Sequence, residues 1–214
     1  MIKNFNINKN STQSGRSMIE MLGVLAIVGV LSVGGIAGYS KAMTKFKINK
    51  TIDQVSHIVA NTRTLFAQQN NYQGLYSGYS ADEVIKSIIP DSVNPNNMLN
   101  PFNGVIGIYS VNNWQADKSE KAFTVEYRGL PQEACVSLAT HDWGSLQTSG
   151  LIAISVSNGV ACGPYDATKE NCEYYAGEIA CSGNNEKPTP MNVATAAASC
   201  QCEELGCTVS WKFQ

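Results

Sequence analysis

From Met21 to Ser40 the chain runs through twenty residues without a charge, and after Tyr39 the pattern turns amphipathic. Candidate buried positions in the second stretch are Ala42, Phe46, Ile48, Ile52, Val55, Val59, Thr62, Leu65 and Phe66, whereas Lys45, Lys47, Lys50, Asp53 and Arg63 fall mostly elsewhere. Steps of three and four mark one apolar helix face. No proline occurs before Pro90, so a single helix is predicted from about Ser17 to about Gln69. Its first half is apolar on every side and, at about 1.5 Å per residue, long enough to cross a bilayer. Its second half has one stripe to bury against a folded body. Gly34, Gly35 and Gly38 interrupt the junction. Gly34 and Gly38 form a G-x-x-x-G pair that permits close helix contact, and each glycine costs about 1 kcal/mol relative to alanine, so the same spot is also a candidate weak point.

From Asn70 onward the pattern shifts to loops and short elements. Ser80 to Pro90 reads as a short helix with Ser80 as N-cap and Pro90 as its stop. Val105–Ser110, Ala122–Tyr127 and Leu151–Ser157 read as strands, the last running into a tight turn at Asn158-Gly159. Leu130-Pro131 opens another helix over Q-E-A-C-V-S-L-A-T, and T-V-S-W-K-F forms a final strand. The expected fold is α+β: a long N-terminal helix, membrane-spanning in its first half, packed on an antiparallel sheet head that carries disulfides.

Composition adds three constraints. Fifteen basic and 17 acidic residues leave a net charge of −2, which argues against nucleic-acid binding as the main role. The seven cysteines, Cys135, Cys162, Cys172, Cys181, Cys200, Cys202 and Cys207, all lie in the distal part of the chain. With a membrane-targeting N-terminus, that crowding reads as a disulfide framework made outside the cytosol, and the odd count leaves at least one thiol free or paired elsewhere. A rival reading takes Cys200, Cys202 and Cys207 as thiolate metal ligands, but no fourth ligand lies nearby. The third constraint is Glu20, at the very front of the apolar run. A carboxylate at bilayer depth costs roughly 2–3 kcal/mol, so it needs a partner or a purpose. An ordinary secretory signal, with its h-region at Met21–Val33 and cleavage after Ala37, leaves Glu20 unexplained.

Catalysis has little support. His57 lies on the long helix and His141 in H-D-W, with no G-x-S-x-G or H-E-x-x-H motif, and a dyad of adjacent His141 and Asp142 would seldom face one another. Trp114, Trp143 and Trp211 read as core or subunit-contact residues. The chain is therefore read as a non-enzyme, with no cofactor and no metal.

Gly15-Arg16-Ser17-Met18-Ile19-Glu20 followed by the apolar run resembles the processing site of type IV prepilins. F-T-V-E-Y-R-G-L-P-Q-E-A-C-V-S-L, Phe123 to Leu138, together with N-P-F-N-G at Asn100 to Gly104, is similar to the globular domain of type IVb pilins, including the shufflon-type and toxin-coregulated pilins. The resemblance implies a leader at 1–15, an assembly helix at 16–40, its amphipathic continuation at 41–70 and a head at 71–214. It implies cleavage by a prepilin peptidase between Gly15 and Arg16, with methylation of the new N-terminus. The freed Arg16 α-amine, charged at neutral pH, would then meet Glu20 of a neighbouring copy and fix the axial register. Partners would be other copies in a helical filament, minor pilins and the inner-membrane assembly machinery. The subunit would reside in the inner membrane before joining an extracellular pilus for attachment, aggregation or contact with DNA or other cells. The family's bridge joins the helix of the L-P-x-x-A-C motif to a point near the C-terminus. Cys135 fits one end, and Cys207 is favoured over Cys200 and Cys202 for the other, with Cys162, Cys172 and Cys181 as local staples. The chain departs from the family at Arg16, where phenylalanine or methionine is usual, in lacking a basic residue directly before Gly15, and in having Ala37 near the usual helix proline. A type II secretion pseudopilin and a secreted disulfide-rich protein are the alternatives.

Overall fold

A computed structural model describes residues 18–76, 81–111, 120–144, 149–158, 173–176, 190–202 and 204–214. The chain forms two compact units, Met1–Met43 and Thr44–Gln214. Helix α1 covers Met18–Phe66, close to the predicted span. From Met18 to Tyr39 its large apolar side chains are solvent-exposed, from 49% at Met21 to 85% at Met18. By length and composition this helix can cross a membrane.

In the second unit α1 buries Ile48, Thr51, Gln54, Val55, Ile58, Val59, Thr62 and Phe66. The stripe thus runs through 48, 51, 55, 58, 62 and 66, and it corrects the sequence reading at several positions. Phe46 and Leu65 are exposed, and Ala42, in the first unit, is exposed too. Thr51 and Thr62 enter the core because each hydroxyl donates to the carbonyl four residues earlier, Lys47 O at 3.0 Å and Ile58 O at 2.7 Å. A hydroxyl satisfied by its own helix can be buried at small cost.

The head continues with α2 (Glu83–Ile88), β1 (Ile106–Val111), β2 (Ala122–Leu130), α3 (Gln132–Ala139), β3 (Leu151–Asn158), β4 (Glu173–Ala176), α4 (Val193–Ser199) and β5 (Cys207–Phe213). Helix α2 is capped by Asp82, whose carboxylate accepts from Ile85 N–H at 2.8 Å; Ser80, the expected cap, lies outside the described residues. Helix α3 begins directly after Pro131, which is its N-cap rather than a residue of its first turn. The turn expected at Asn158-Gly159 runs outside the described residues. Elements β4 and α4 were not expected. The sheet order is β1-β2-β5-β3-β4, antiparallel throughout.

Strand alternation sends Phe123, Val125 and Tyr127 of β2, and Val209, Trp211 and Phe213 of β5, into one core with the α1 stripe. The intervening residues Thr124, Glu126, Thr208 and Ser210 are buried as well. Both faces of these two central strands are therefore covered, and burial shows no alternation even though residue type does.

Candidate functional site

Two features are candidates for function: the apolar run in the first unit, and the head with its Asn100 clasp and its disulfide cross-links. The apolar run starts just after Glu20 in the first turn of α1, and Glu20 is exposed. Of the sequence-predicted processing and assembly residues, Glu20 alone is described; Gly15 and Arg16 lie outside the described residues. The exposed side chains include Leu22, Leu25, Val30, Leu31 and Ile36. Each would gain about 1.5–3 kcal/mol on full burial against an apolar partner. No element of the first unit supplies such a partner among the described residues.

In the head, α1 is fastened to the sheet by polar contacts inside the core. Tyr127 O–H donates to Gln54 Oε1 at 3.3 Å, and Gln54 Nε2 donates to Ser92 Oγ at 3.0 Å. Burial pushes the Tyr127 phenol well above its ordinary pKa. Near the end of the helix, the Arg63 guanidinium donates to the carbonyls of Ser149 and Gln214 and lies 5.7 Å from the Phe213 ring centre. Trp211 is fully buried, with Tyr127 and Trp143 edge-on to it at 5.9 and 4.9 Å. His141 packs edge-on to Trp143 at 4.8 Å in the loop after α3, and His57 is exposed on α1; Trp114 lies outside the described residues.

The N-P-F-N-G loop is a clasp. Asn100 Oδ1 accepts from the N–H groups of Phe102 and Gly104, at 2.8 and 3.1 Å, while its Nδ2 donates to Arg128 O at 2.7 Å. Gly104 lies so close to β2 that a Cβ there would collide with the Arg128 carbonyl, and Gly129 opposite it has φ +66°. These three residues explain why N-P-F-N-G and R-G-L-P belong together although they are far apart in sequence. Motif recognition found the segments but not the contact between them.

On the other face of the sheet, the carboxylate of Glu126 pairs with Arg128, 2.6 Å from Nε, and Arg128 reaches the Tyr109 hydroxyl at 3.3 Å. The Tyr109 phenol is pushed up to about 12, first by burial and then by the Glu126 carboxylate, with Arg128 opposing. Its ring lies back across Gly107, where a Cβ would meet it. The sequence reading missed this triad because strand alternation alone places Glu126 toward solvent.

Cys135 on α3 is bridged to Cys200 at the end of α4, with Cα atoms 5.8 Å apart. Cys202 is bridged to Cys207 at the start of β5, with Cα atoms 5.1 Å apart. The favoured partner of Cys135 was Cys207, so the pairing is corrected: α4, absent from the sequence reading, carries Cys200 onto α3, and Cys207 is taken by its near neighbour in the chain. Sulfurs committed to bridges are not thiolate ligands, so the C-x-C-x4-C run is a cross-link here. Cys162, Cys172 and Cys181 lie outside the described residues.

A family model described as Bundlin matches residues 40–213. The chain belongs to the Bundlin family. The matched region takes in the head, both bridges and the Asn100 clasp. Among curated relatives, the toxin coregulated pilin of Vibrio cholerae serotype O1 is 27% identical over 136 residues, 62% of this chain and 59% of that protein. The major structural subunit of bundle-forming pilus of Escherichia coli O111:H- is 27% identical over 151 residues, 69% of this chain and 75% of that protein. The chain thus matches somewhat less than two thirds of the Vibrio pilin's length. A crystal structure of a type IV pilin from Vibrio cholerae El Tor biotype aligns at a TM-score of 0.49 and 19% identity, covering 78% of this chain and 99% of that one. The type IVb resemblance drawn from the N-terminal and body motifs agrees with membership of the Bundlin family.

Proposed function

We propose that this chain is a pilus subunit whose mature form polymerises through its apolar helix into an extracellular filament. The observation that carries the reading is the uncharged stretch from Met21 to Ser40, exposed along its length behind a single glutamate, in the same chain as a Bundlin head. A surface of that kind needs lipid or copies of itself. In the membrane it anchors the subunit. In the filament, the helices of neighbouring copies bury one another.

The residue roles in this proposal are specific. A prepilin peptidase cuts between Gly15 and Arg16, releasing residues 1–15. The Arg16 α-amine pairs with Glu20 of an adjacent copy, because in an apolar bundle two opposite charges satisfy each other better than either is satisfied alone. Repetition of one head-to-tail contact that does not close builds an open helical fibre. Residues 16–40 form the assembly segment, 41–70 its continuation and 71–214 the head that faces outward. Minor pilins and the inner-membrane assembly machinery are the further partners.

N-terminal sequencing of mature protein tests the first step, and the expected first residue is Arg16. A start at Gly38 would instead identify an ordinary secreted protein. For the pairing step, Glu20→Ala should be processed normally and yield far fewer fibres by electron microscopy. Normal fibres from that variant would refute the pairing role.

A further inference from the structure

The two bridges among the described residues of the head lie against each other. The Sγ atoms of Cys135, Cys202 and Cys207 all fall within 4.8 Å of one another, although Cys135 is bonded to Cys200 and Cys207 to Cys202. Cys135, Cys200 and Cys207 are fully buried, and Cys202 is half-buried. A thiol arriving from solvent therefore meets Cys202 first. Cys202 Sγ also lies 3.2 Å from the carbonyl oxygen of Cys200, so the C-x-C backbone folds the one sulfur back over the other residue.

We propose that Cys202 is a site of S-thiolation by a small monothiol, and that this modification re-pairs the four sulfurs as Cys135–Cys207 and Cys200–Cys202. The monothiol's thiolate attacks Cys202 Sγ; a mixed disulfide forms there, the Cys202–Cys207 bond breaks, and its electron pair leaves on Cys207. The Cys207 thiolate then attacks Cys135 Sγ, forming Cys135–Cys207 and leaving the electron pair on Cys200. The Cys200 thiolate attacks Cys202 Sγ of the mixed disulfide, forms Cys200–Cys202 and expels the monothiolate. Each step is a thiolate displacement at a disulfide sulfur, the ordinary route of exchange. Two disulfides enter and two leave, so no oxidant or reductant is consumed and the monothiol acts as a catalyst.

The two pairings have different mechanical meanings. In the observed state, α4 is bolted to α3 through Cys200, supported by the Met191 N–H bond to Ala139 O at 3.2 Å. After re-pairing, α3 is tied directly to β5, and α4 has no covalent link to α3. The exchange frees α4 while the sheet stays stapled.

The test uses the full chain in detergent micelles, incubated anaerobically with reduced glutathione, quenched in acid, alkylated and digested without reduction. Cleavage after Glu203 and Glu204 separates the Cys200/Cys202 peptide from that of Cys207. Mass spectrometry should find glutathione on Cys202 early and a Cys135–Cys207 peptide pair later. Persistence of Cys135–Cys200 alone, or a first adduct on Cys135, Cys200 or Cys207, would overturn the proposal. Cys202→Ser provides a second route, since Cys207 then starts as a thiol. It should give a mixture of Cys135–Cys200 and Cys135–Cys207; complete alkylation of Cys207 with no second pair overturns the exchange step.

Discussion

Tyr127 on β2 donates its phenol hydrogen to Gln54 on α1, 3.3 Å away in a core closed to water. Two polar side chains are thereby placed where sequence patterning expects apolar ones. Removing either partner strands the other, and an unsatisfied buried polar group costs about 1–3 kcal/mol. Gln54→Leu should destabilise the head by about that amount, because it leaves the Tyr127 hydroxyl unpaired and releases Ser92. Tyr127→Phe should cost less, about 1 kcal/mol, since it strands only Gln54 Oε1 while Gln54 Nε2 keeps Ser92. Urea unfolding followed by far-UV circular dichroism checks the order, and the double variant should be less damaged than the sum of the two.

The Asn100 clasp gives a sharper contrast. Asn100→Ala removes three hydrogen bonds from a 4%-exposed residue and should destabilise by roughly 2–4 kcal/mol. Asn100→Asp keeps the acceptor for Phe102 and Gly104 but sets a carboxylate oxygen against the Arg128 carbonyl. It should be no better than alanine, even though it preserves shape. Thermal melts of the three proteins compare these cases.

The bridges should differ in worth because they close different loops. With sequence separations of 65 and 5, the loop-entropy account gives about 4 kcal/mol for Cys135–Cys200 and about 2 kcal/mol for Cys202–Cys207. Paired serine substitutions should therefore lower the melting temperature roughly twice as much at the first bridge as at the second. Equal losses would mean that loop length is not what the bridges act through.

Alkaline stability should reflect the buried phenols. Tyr109 is pushed up to about 12 and Tyr127 is raised further by burial. An unfolded chain ionises its tyrosines near pH 10, so above that pH it binds fewer protons than the folded head. Stability is fully present below pH 10 and falls as the pH climbs toward 12. Tyrosinate absorbance during an alkaline titration should show late-titrating groups that collapse together with the fold. In Tyr127→Phe the decline should be shallower.

Much of the architecture was legible because it follows from periodicity. The steps of three and four after Tyr39, the alternation in A-F-T-V-E-Y and the proline before Q-E-A-C each specify an element without help from its neighbours. What stayed hidden depends on tertiary contact. Gln54 looks like a surface residue until Tyr127 and Ser92 satisfy it. Glu126 looks solvent-facing until the partly exposed Arg128 pairs with its buried carboxylate. The segment V-A-T-A-A-A-S has small residues and no large apolar stripe, so α4 gave no periodic signal, and without α4 nothing pointed Cys200 toward α3. Phe46 and Leu65 erred the other way: hydropathy assigned them to the core, but the stripe passes beside them. Of the assembly residues, Glu20 could be singled out because a charge bordering an uncharged run is conspicuous in the sequence alone.

Among the five described strands, β5 comes last along the chain, yet it sits between β2 and β3. Until it arrives, the β1–β2 and β3–β4 hairpins have no hydrogen-bonded seam to join them, and Trp211 is missing from the centre of the core. A chain halted before Cys207 could pair β1 with β2 and β3 with β4 but not one pair with the other, so the middle of the sheet is sealed by the segment made last among these strands.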